Sequence, residues 1–162
     1  MPHRSGPEHR RRYVPPNTAA LQQQLAEIKI VLEATRLLPI AEPLKKSMLK
    51  HALWEVAIAT GNTQNKFLGR YRSESVKGQE GLNIRRDHIY QERMLLKELL
   101  GPSPDLERII ARAQLCCVVA KDEHDRLSHG EIDGGERYRI AGIVVYDMLH
   151  ERKVVPEVEW PT

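Results

Sequence analysis

The sequence contains few aromatic residues and few cysteines. Its 162 residues include one phenylalanine, two tryptophans, five tyrosines and two cysteines, so leucine, isoleucine, valine and alanine must supply most of the core. Cys116 and Cys117 are adjacent in sequence, and this disfavours a disulfide between them. Adjacent cysteines also lack the spacing of structural zinc ligands. Two unbridged thiols are typical of a reduced, cytoplasmic protein.

Long apolar runs are also missing. No stretch approaches the roughly 18 residues that a membrane span needs, and the N-terminus lacks the apolar region of a secretory signal. We therefore expect no membrane partner. The motifs GxSxG, HExxH and spaced CxxC and the glycine-rich phosphate loops are absent from the sequence. With 41% hydrophobic and 29% charged residues, the composition is that of one ordinary globular domain.

The positive charge of the chain is concentrated at its beginning. The formal net charge is +3, and residues 1–16 contain four arginines and one glutamate, so this segment carries the whole excess. It is rich in proline and has little to bury, which predicts a disordered basic arm. Through Arg10, Arg11 and Arg12 such an arm adds salt-dependent affinity for nucleic acid, or it serves only as a solubilising tail.

Apolar periodicity predicts a helical hairpin after this arm. Residues 18–38 and 42–60 each show helical spacing of apolar residues, and Pro39 separates the two helices. The repeat in the first helix consists of Leu21, Leu25, Ile28 and Leu32. This stripe is either the core of the domain itself or a homodimer interface formed by the 18–38 helix.

The rest of the chain shows shorter patterns. Residues 89–100 and 104–113 show helical patterns, and the apolar runs 115–120 and 143–149 predict short strands. The predicted class is α+β, mainly α, with a helical hairpin followed by a small region of helices and short strands. We expect a single globular domain over 17–150 and a loosely packed tail over 151–162.

Basic residues alternate with aromatic residues in two places. Residues 61–83 form a polar segment in which Arg70 and Arg72 flank Tyr71, and Tyr138 lies between two arginines further on. Such clusters contact phosphate and stack on bases. The alternatives are a solvated loop for the first cluster and ion pairs with nearby acidic residues for the second.

The segment Arg85-Arg86-Asp87-His88 contains the side chains that phosphodiester hydrolysis needs. A carboxylate can hold a divalent metal, an imidazole can take a proton from water, and arginines can hold the phosphate. In the alternative interpretation Asp87 is the N-cap of a helix that covers 89–100.

An Asp-His pair followed by a short strand and by a helix with another histidine resembles the HNH, or His-Me finger, endonucleases over residues 83–130. The resemblance implies a metal-dependent nuclease that acts on DNA or RNA with one divalent cation such as Mg²⁺. It implies that His88 is the general base and that Asp87 and His124 are metal ligands. His129 is the alternative ligand.

The second hypothesis is a non-enzymatic helical module that binds nucleic acid or protein and needs no cofactor. It would use the basic arm and an amphipathic helix. The charge balance favours it, because residues 17–162 are neutral overall. The basic clusters and the segment that contains Asp87 and His88 favour the nuclease and nucleic acid as its partner.

Overall fold

The computed structural model describes residues 13–60, 69–76, 83–127 and 130–154. Within these ranges a helical hairpin precedes a mixed five-stranded sheet with short helices, so the predicted α+β class is confirmed. The elements in chain order are α1 (Thr18–Leu37), α2 (Glu42–Ala59), β1 (Tyr71–Ser73), β2 (Ile84–His88), α3 (Glu92–Leu99), α4 (Leu106–Ala113), β3 (Cys116–Ala120), α5 (Lys121–Leu127), α6 (Gly135–Ile140), β4 (Val145–Asp147) and β5 (Arg152–Val154).

Local signals set the ends of the hairpin helices. The side chain of Asn17 accepts a hydrogen bond from the backbone N–H of Ala20 and caps α1. Pro39 follows α1, and Pro43 occupies the first turn of α2, where a missing N–H costs nothing. The two helices pack against each other, and both contact α4.

The first apolar core lies between these helices and the pair α3 and α4. Ile28 and Leu32 are buried in it, and Leu21 and Leu25 pack against its edge. The leucine-rich stripe of α1 is therefore the core of the domain. It is not available as the homodimer interface that was the other interpretation of this stripe.

The sheet has the strand order β2-β3-β1-β4-β5. Strand β3 is apolar and almost entirely buried, as its sequence CCVVA predicts. It pairs antiparallel with β2 and parallel with β1, while β4 pairs antiparallel with β1 and β5. A second apolar core covers one face of this sheet and includes Tyr71, Cys117 and Tyr138.

Two local expectations are corrected by the structure. Tyr71–Ser73 belong to a buried strand, not to a solvated loop, because Arg72 donates to the Gly69 carbonyl and Ser73 donates to the Glu123 carboxylate. Asp87 is not a helix N-cap. It lies inside β2, and α3 begins only after Gln91.

The packed domain extends past both predicted boundaries. Tyr13, inside the predicted arm, is 7% exposed, and its hydroxyl donates to the Thr60 carbonyl at 3.0 Å. At the other end, β5 pairs with β4 inside the predicted loose tail. The remainder of the arm, 1–12, and of the tail, 155–162, lies outside the described residues, as does 61–68.

Substitutions on the buried and exposed sides of the hairpin should differ in their effect on stability. Leu53 in α2 is fully buried, whereas Leu44 in the same helix is exposed. We expect Leu53→Ala to lower the free energy of unfolding by about 2–5 kcal/mol, because it removes buried methyl groups and leaves a cavity. Leu44→Ala should change it by less than about 0.5 kcal/mol. Urea denaturation followed by circular dichroism measures both, and equal losses would contradict this assignment of the core.

Candidate functional site

Strand β2 presents Asp87 and His88 to opposite faces of the sheet, because side chains alternate along a strand. Asp87 faces α6 and is buried there. Its carboxylate accepts hydrogen bonds from the Tyr138 hydroxyl at 2.6 Å and from Nη1 and Nη2 of Arg137 at 3.1 and 3.2 Å. The His88 ring instead meets Trp54 of α2 edge-on, with the ring centroids 5.3 Å apart.

Arg137 binds more than the carboxylate. Its guanidinium also donates to the backbone carbonyls of His88, Ile89 and Leu127 at 2.8–3.0 Å. The side chain is 4% exposed. A buried arginine with this set of acceptors is a structural cation that joins the end of β2 to the end of α5.

His124 approaches the same carboxylate from α5. This helix begins directly after β3 and packs on β2 and β3. Nε2 of His124 lies 3.9 Å from Oδ1 of Asp87, and the imidazole is one third exposed. The structure therefore brings together the two residues that the endonuclease resemblance implies as metal ligands.

His88 lies apart from this pair. Burial lowers its pKa because it disfavours the charged imidazolium, and this effect exceeds the opposing ones of the nearby Glu92 and Asp87. The ring is therefore neutral near pH 7. Its Nε2 is buried and makes no hydrogen bond with the residues that the structure describes. The general-base assignment of His88 stays a prediction, and its imidazole faces α2 rather than Asp87 and His124.

The donor set around Asp87 is that of an ion pair more than that of a metal site. Three donors from Arg137 and Tyr138 already occupy the carboxylate. Over the described ranges, no group of three or more histidine, cysteine, aspartate and glutamate side chains is arranged to hold a metal ion. His129, the alternative ligand, lies outside those ranges.

Glu123 is a buried carboxylate that the sequence analysis did not single out. It accepts hydrogen bonds from the hydroxyls of Ser73 and Ser75 at 2.5 and 2.7 Å and from the backbone N–H of Ala120 at 2.9 Å. These bonds join β1 to the junction of β3 and α5. A glutamate in the first turn of a helix, where it can reach back to a free N–H, was the available signal.

Arg70, a predicted nucleic-acid contact, is engaged within the fold. Its guanidinium forms two hydrogen bonds of 3.1 Å with the Asp147 carboxylate and lies over the Tyr71 ring. Burial opposes ionisation of Asp147, but the hydrogen bonds from Arg70, His150 and the Leu149 N–H outweigh it. They lower the pKa of Asp147 to about 2, so the charge of Arg70 is matched at neutral pH.

The other predicted nucleic-acid contacts do not form one surface. Arg72 is buried. Arg85 and Arg86 are consecutive in β2 and point to opposite faces of the sheet, and Arg85 donates to the Asn83 side chain at 2.6 Å. Residues 10–12 are outside the described part of the chain, so their role stays a prediction.

The helical hairpin exposes a second apolar surface, which we call the outer hairpin face. The described residues include eleven exposed large hydrophobic side chains, and six of them lie on this hairpin. These six are between 38% and 67% exposed, and they are Ile30, Val31, Leu37, Leu38, Leu44 and Met48. An open groove between α1 and α2 adjoins them, with Val31 and Met48 in its lining.

Comparison with known proteins adds no further assignment. No protein-family model matches the sequence, and neither a curated protein nor a solved structure shows significant similarity to it. Among the described residues, no helix combines the length and the apolar character that crossing a bilayer would require.

Removal of the buried cation should be costly. Arg137→Ala leaves the Asp87 carboxylate buried without its ionic partner, and we expect the free energy of unfolding to fall by about 3–5 kcal/mol. Arg139→Ala is the matched control, because Arg139 lies two residues away in α6 and forms an exposed pair with Glu136. That change should cost less than about 1 kcal/mol. Denaturant unfolding checks both, and similar losses would refute the structural role of Arg137.

Proposed function

We propose that this chain is a non-catalytic protein-binding module that docks an amphipathic helix of a partner chain on the outer hairpin face. The supporting observation is the concentration of six exposed hydrophobic side chains on α1, α2 and their connection. A concentration of exposed hydrophobic side chains marks interaction sites in soluble proteins, whereas single exposed leucines do not.

The second half of α1 is apolar on two sides. Ile28 and Leu32 face the core, and Ile30, Val31 and Leu37 point outward. A helix on the surface of a monomer usually buries one apolar stripe and carries polar residues on its opposite side. A partner helix on the outer hairpin face would provide the missing cover, in the mode by which helices dock into apolar grooves.

The charges at the two ends of the hairpin define the chemistry of the partner. At the end away from the connection, Glu27 accepts from an uncharged glutamine and Glu55 lies 3.5 Å from His51, so this end is acidic. At the connection, Arg36 and Lys45 are partly buried and donate to the backbone carbonyls of Leu99, Gly101 and Arg36, so both are held within the fold. A complementary helix is therefore apolar along its length and basic at the end that meets Glu27 and Glu55.

Many cations of the described residues form ion pairs within the fold, which reduces the positive charge available to nucleic acid there. The ion pairs that support this statement are Lys29–Glu107, Lys46–Glu42, Lys50–Glu92, Arg70–Asp147, Arg108–Glu98, Lys121–Asp125, Arg137–Asp87, Arg139–Glu136 and Lys153–Glu74. Affinity for a phosphate backbone requires cations whose charge is available to it. These pairs therefore favour a protein partner over nucleic acid.

Photo-crosslinking inside living cells tests the docking surface. A photoreactive phenylalanine analogue at Leu37, which is 67% exposed, should give one discrete adduct because the partner covers this position. The matched control is the same analogue at Ile140, which is 58% exposed but lies on α6. Gel electrophoresis and mass spectrometry identify the adducts. Absence of an adduct at Leu37, or the same adducts at both positions, would refute the proposal.

A second candidate function is the metal-dependent nuclease, and one observation favours it. His124 Nε2 and Asp87 Oδ1 are 3.9 Å apart, on a helix and a strand that pack together. In this version, these two side chains would hold a divalent cation, and His88 would have to turn from the opposite face of β2 to act as the general base. Asp87 would have to share its carboxylate between the cation and Arg137.

A cleavage assay tests this second candidate. It predicts hydrolysis of plasmid DNA or single-stranded RNA with Mg²⁺ that EDTA abolishes. His88→Ala should lower the rate by about 10²–10⁴-fold, the usual contribution of a general base. His51→Ala, at an exposed histidine of α2, is the matched control and should leave the rate unchanged. No cleavage would exclude the nuclease, and equal cleavage by both variants would exclude His88 as its general base.

A further inference from the structure

Strands β2 and β3 place a histidine beside a cysteine on one face of the sheet. His88 and Cys116 lie directly opposite each other in the antiparallel register of these strands. At this end of the ladder the N–H of Ile89 donates to the Leu115 carbonyl, so the interstrand hydrogen bond belongs to the neighbouring pair. His88 and Cys116 are therefore a non-hydrogen-bonded pair, in which the two side chains share a face and approach closely.

Both side chains are buried, and the imidazole keeps one nitrogen unused. His88 is 8% exposed and Cys116 is 3% exposed. Nε2 of His88 makes no hydrogen bond with the residues that the structure describes, and the Cys116 thiol is not part of a disulfide. A buried polar atom without a partner raises the free energy of the fold. A ligand that binds this nitrogen would remove that cost.

We infer that His88 and Cys116 bind one soft monovalent metal ion, Cu(I), between Nε2 and Sγ. Thiolate sulfur and imidazole nitrogen are ligands that copper prefers, and Cu(I) forms stable complexes with only two of them. On binding, the S–H bond breaks, its proton passes to solvent, and an S–Cu bond forms with no change of oxidation state. The inference does not rest on the docking function proposed above, because this site faces the sheet interior.

The charge balance of the pair selects a monovalent ion. A thiolate carries one negative charge, and burial keeps the imidazole of His88 neutral by lowering its pKa. With Cu(I) the charges sum to zero, whereas a divalent ion would leave an uncompensated charge in the interior. Structural zinc also takes four ligands, and no group of three or more suitable side chains exists among the described residues.

The Cys116 thiol is protonated in the metal-free protein. Burial raises its pKa to about 12, and the two charged groups that act on it, Asp87 and Arg86, have opposite effects. Coordination to a metal deprotonates a thiol outright. The adjacent thiol of Cys117 belongs to the second apolar core, on the other face of the sheet. Cys117 is therefore the matched control for Cys116.

Competition with a chromophoric chelator tests the site in the full-length protein. Reduced protein, added anaerobically to the Cu(I)–bicinchoninate complex, should withdraw one Cu(I) per chain. Loss of a group that only supports a ligand weakens metal binding by about 10–100-fold. Loss of a direct ligand, in Cys116→Ser or His88→Leu, should therefore weaken it by about a hundredfold or more. Cys117→Ser should keep the affinity of the unsubstituted protein. Circular dichroism verifies that the variants fold.

X-ray absorption at the copper edge identifies the ligands without any substitution, so it decides the question even if a variant fails to fold. The bound ion should have one sulfur neighbour and one nitrogen neighbour. Three results would each overturn the inference. They are failure of the protein to take Cu(I) from the chelator, equal loss of affinity in Cys116→Ser and Cys117→Ser, and a copper shell that lacks either sulfur or nitrogen.

Discussion

The ion pair between Asp87 and Arg137 is the contact on which the arrangement of the sheet and its short helices depends. It joins β2 to α6, and the further bonds of Arg137 to backbone carbonyls reach the end of α5. Two buried charges are tolerated only when they are paired and hydrogen-bonded. Tyr138 supplies the remaining donor. Because these bonds join β2, α5 and α6, the three elements hold one relative position.

Adjacent residues of β2 have different surroundings and therefore different roles. Asp87 and His88 form one dipeptide, but the pleat of β2 sends Asp87 toward the ion pair and His88 toward Trp54. His124, 37 residues beyond Asp87, lies closer to its carboxylate than the sequence suggests. Both oxygens of the Asp87 carboxylate already accept hydrogen bonds from a guanidinium or a phenol, so a cation would have to share or displace these donors.

Local signals predicted the elements that local physics determines. The repeat of apolar residues predicted α1. The continuous apolar run CCVVA predicted β3, which is apolar on both faces. The sequence did not predict strand β1, because the burial of Ser73 depends on Glu123, which is 50 residues away. The pairing of Arg137 was not predicted for the same reason, because its partner Asp87 is also distant in sequence. Arg139, in contrast, does pair with nearby Glu136. Long-range satisfaction of polar groups leaves no periodic trace in a sequence.

The sequence did not predict the outer hairpin face, because the periodicity that predicted α1 concerns only its inner stripe. A search for one helical stripe selects Ile28 and Leu32, and the outward residues Ile30 and Leu37 then count as exceptions. Their spacing of seven residues is itself a helical repeat on the opposite side. The inner stripe stabilises the monomer, whereas the outer one buries nothing within it. When a partner covers the outer stripe, both stripes of α1 are buried, and both lower the free energy of the complex.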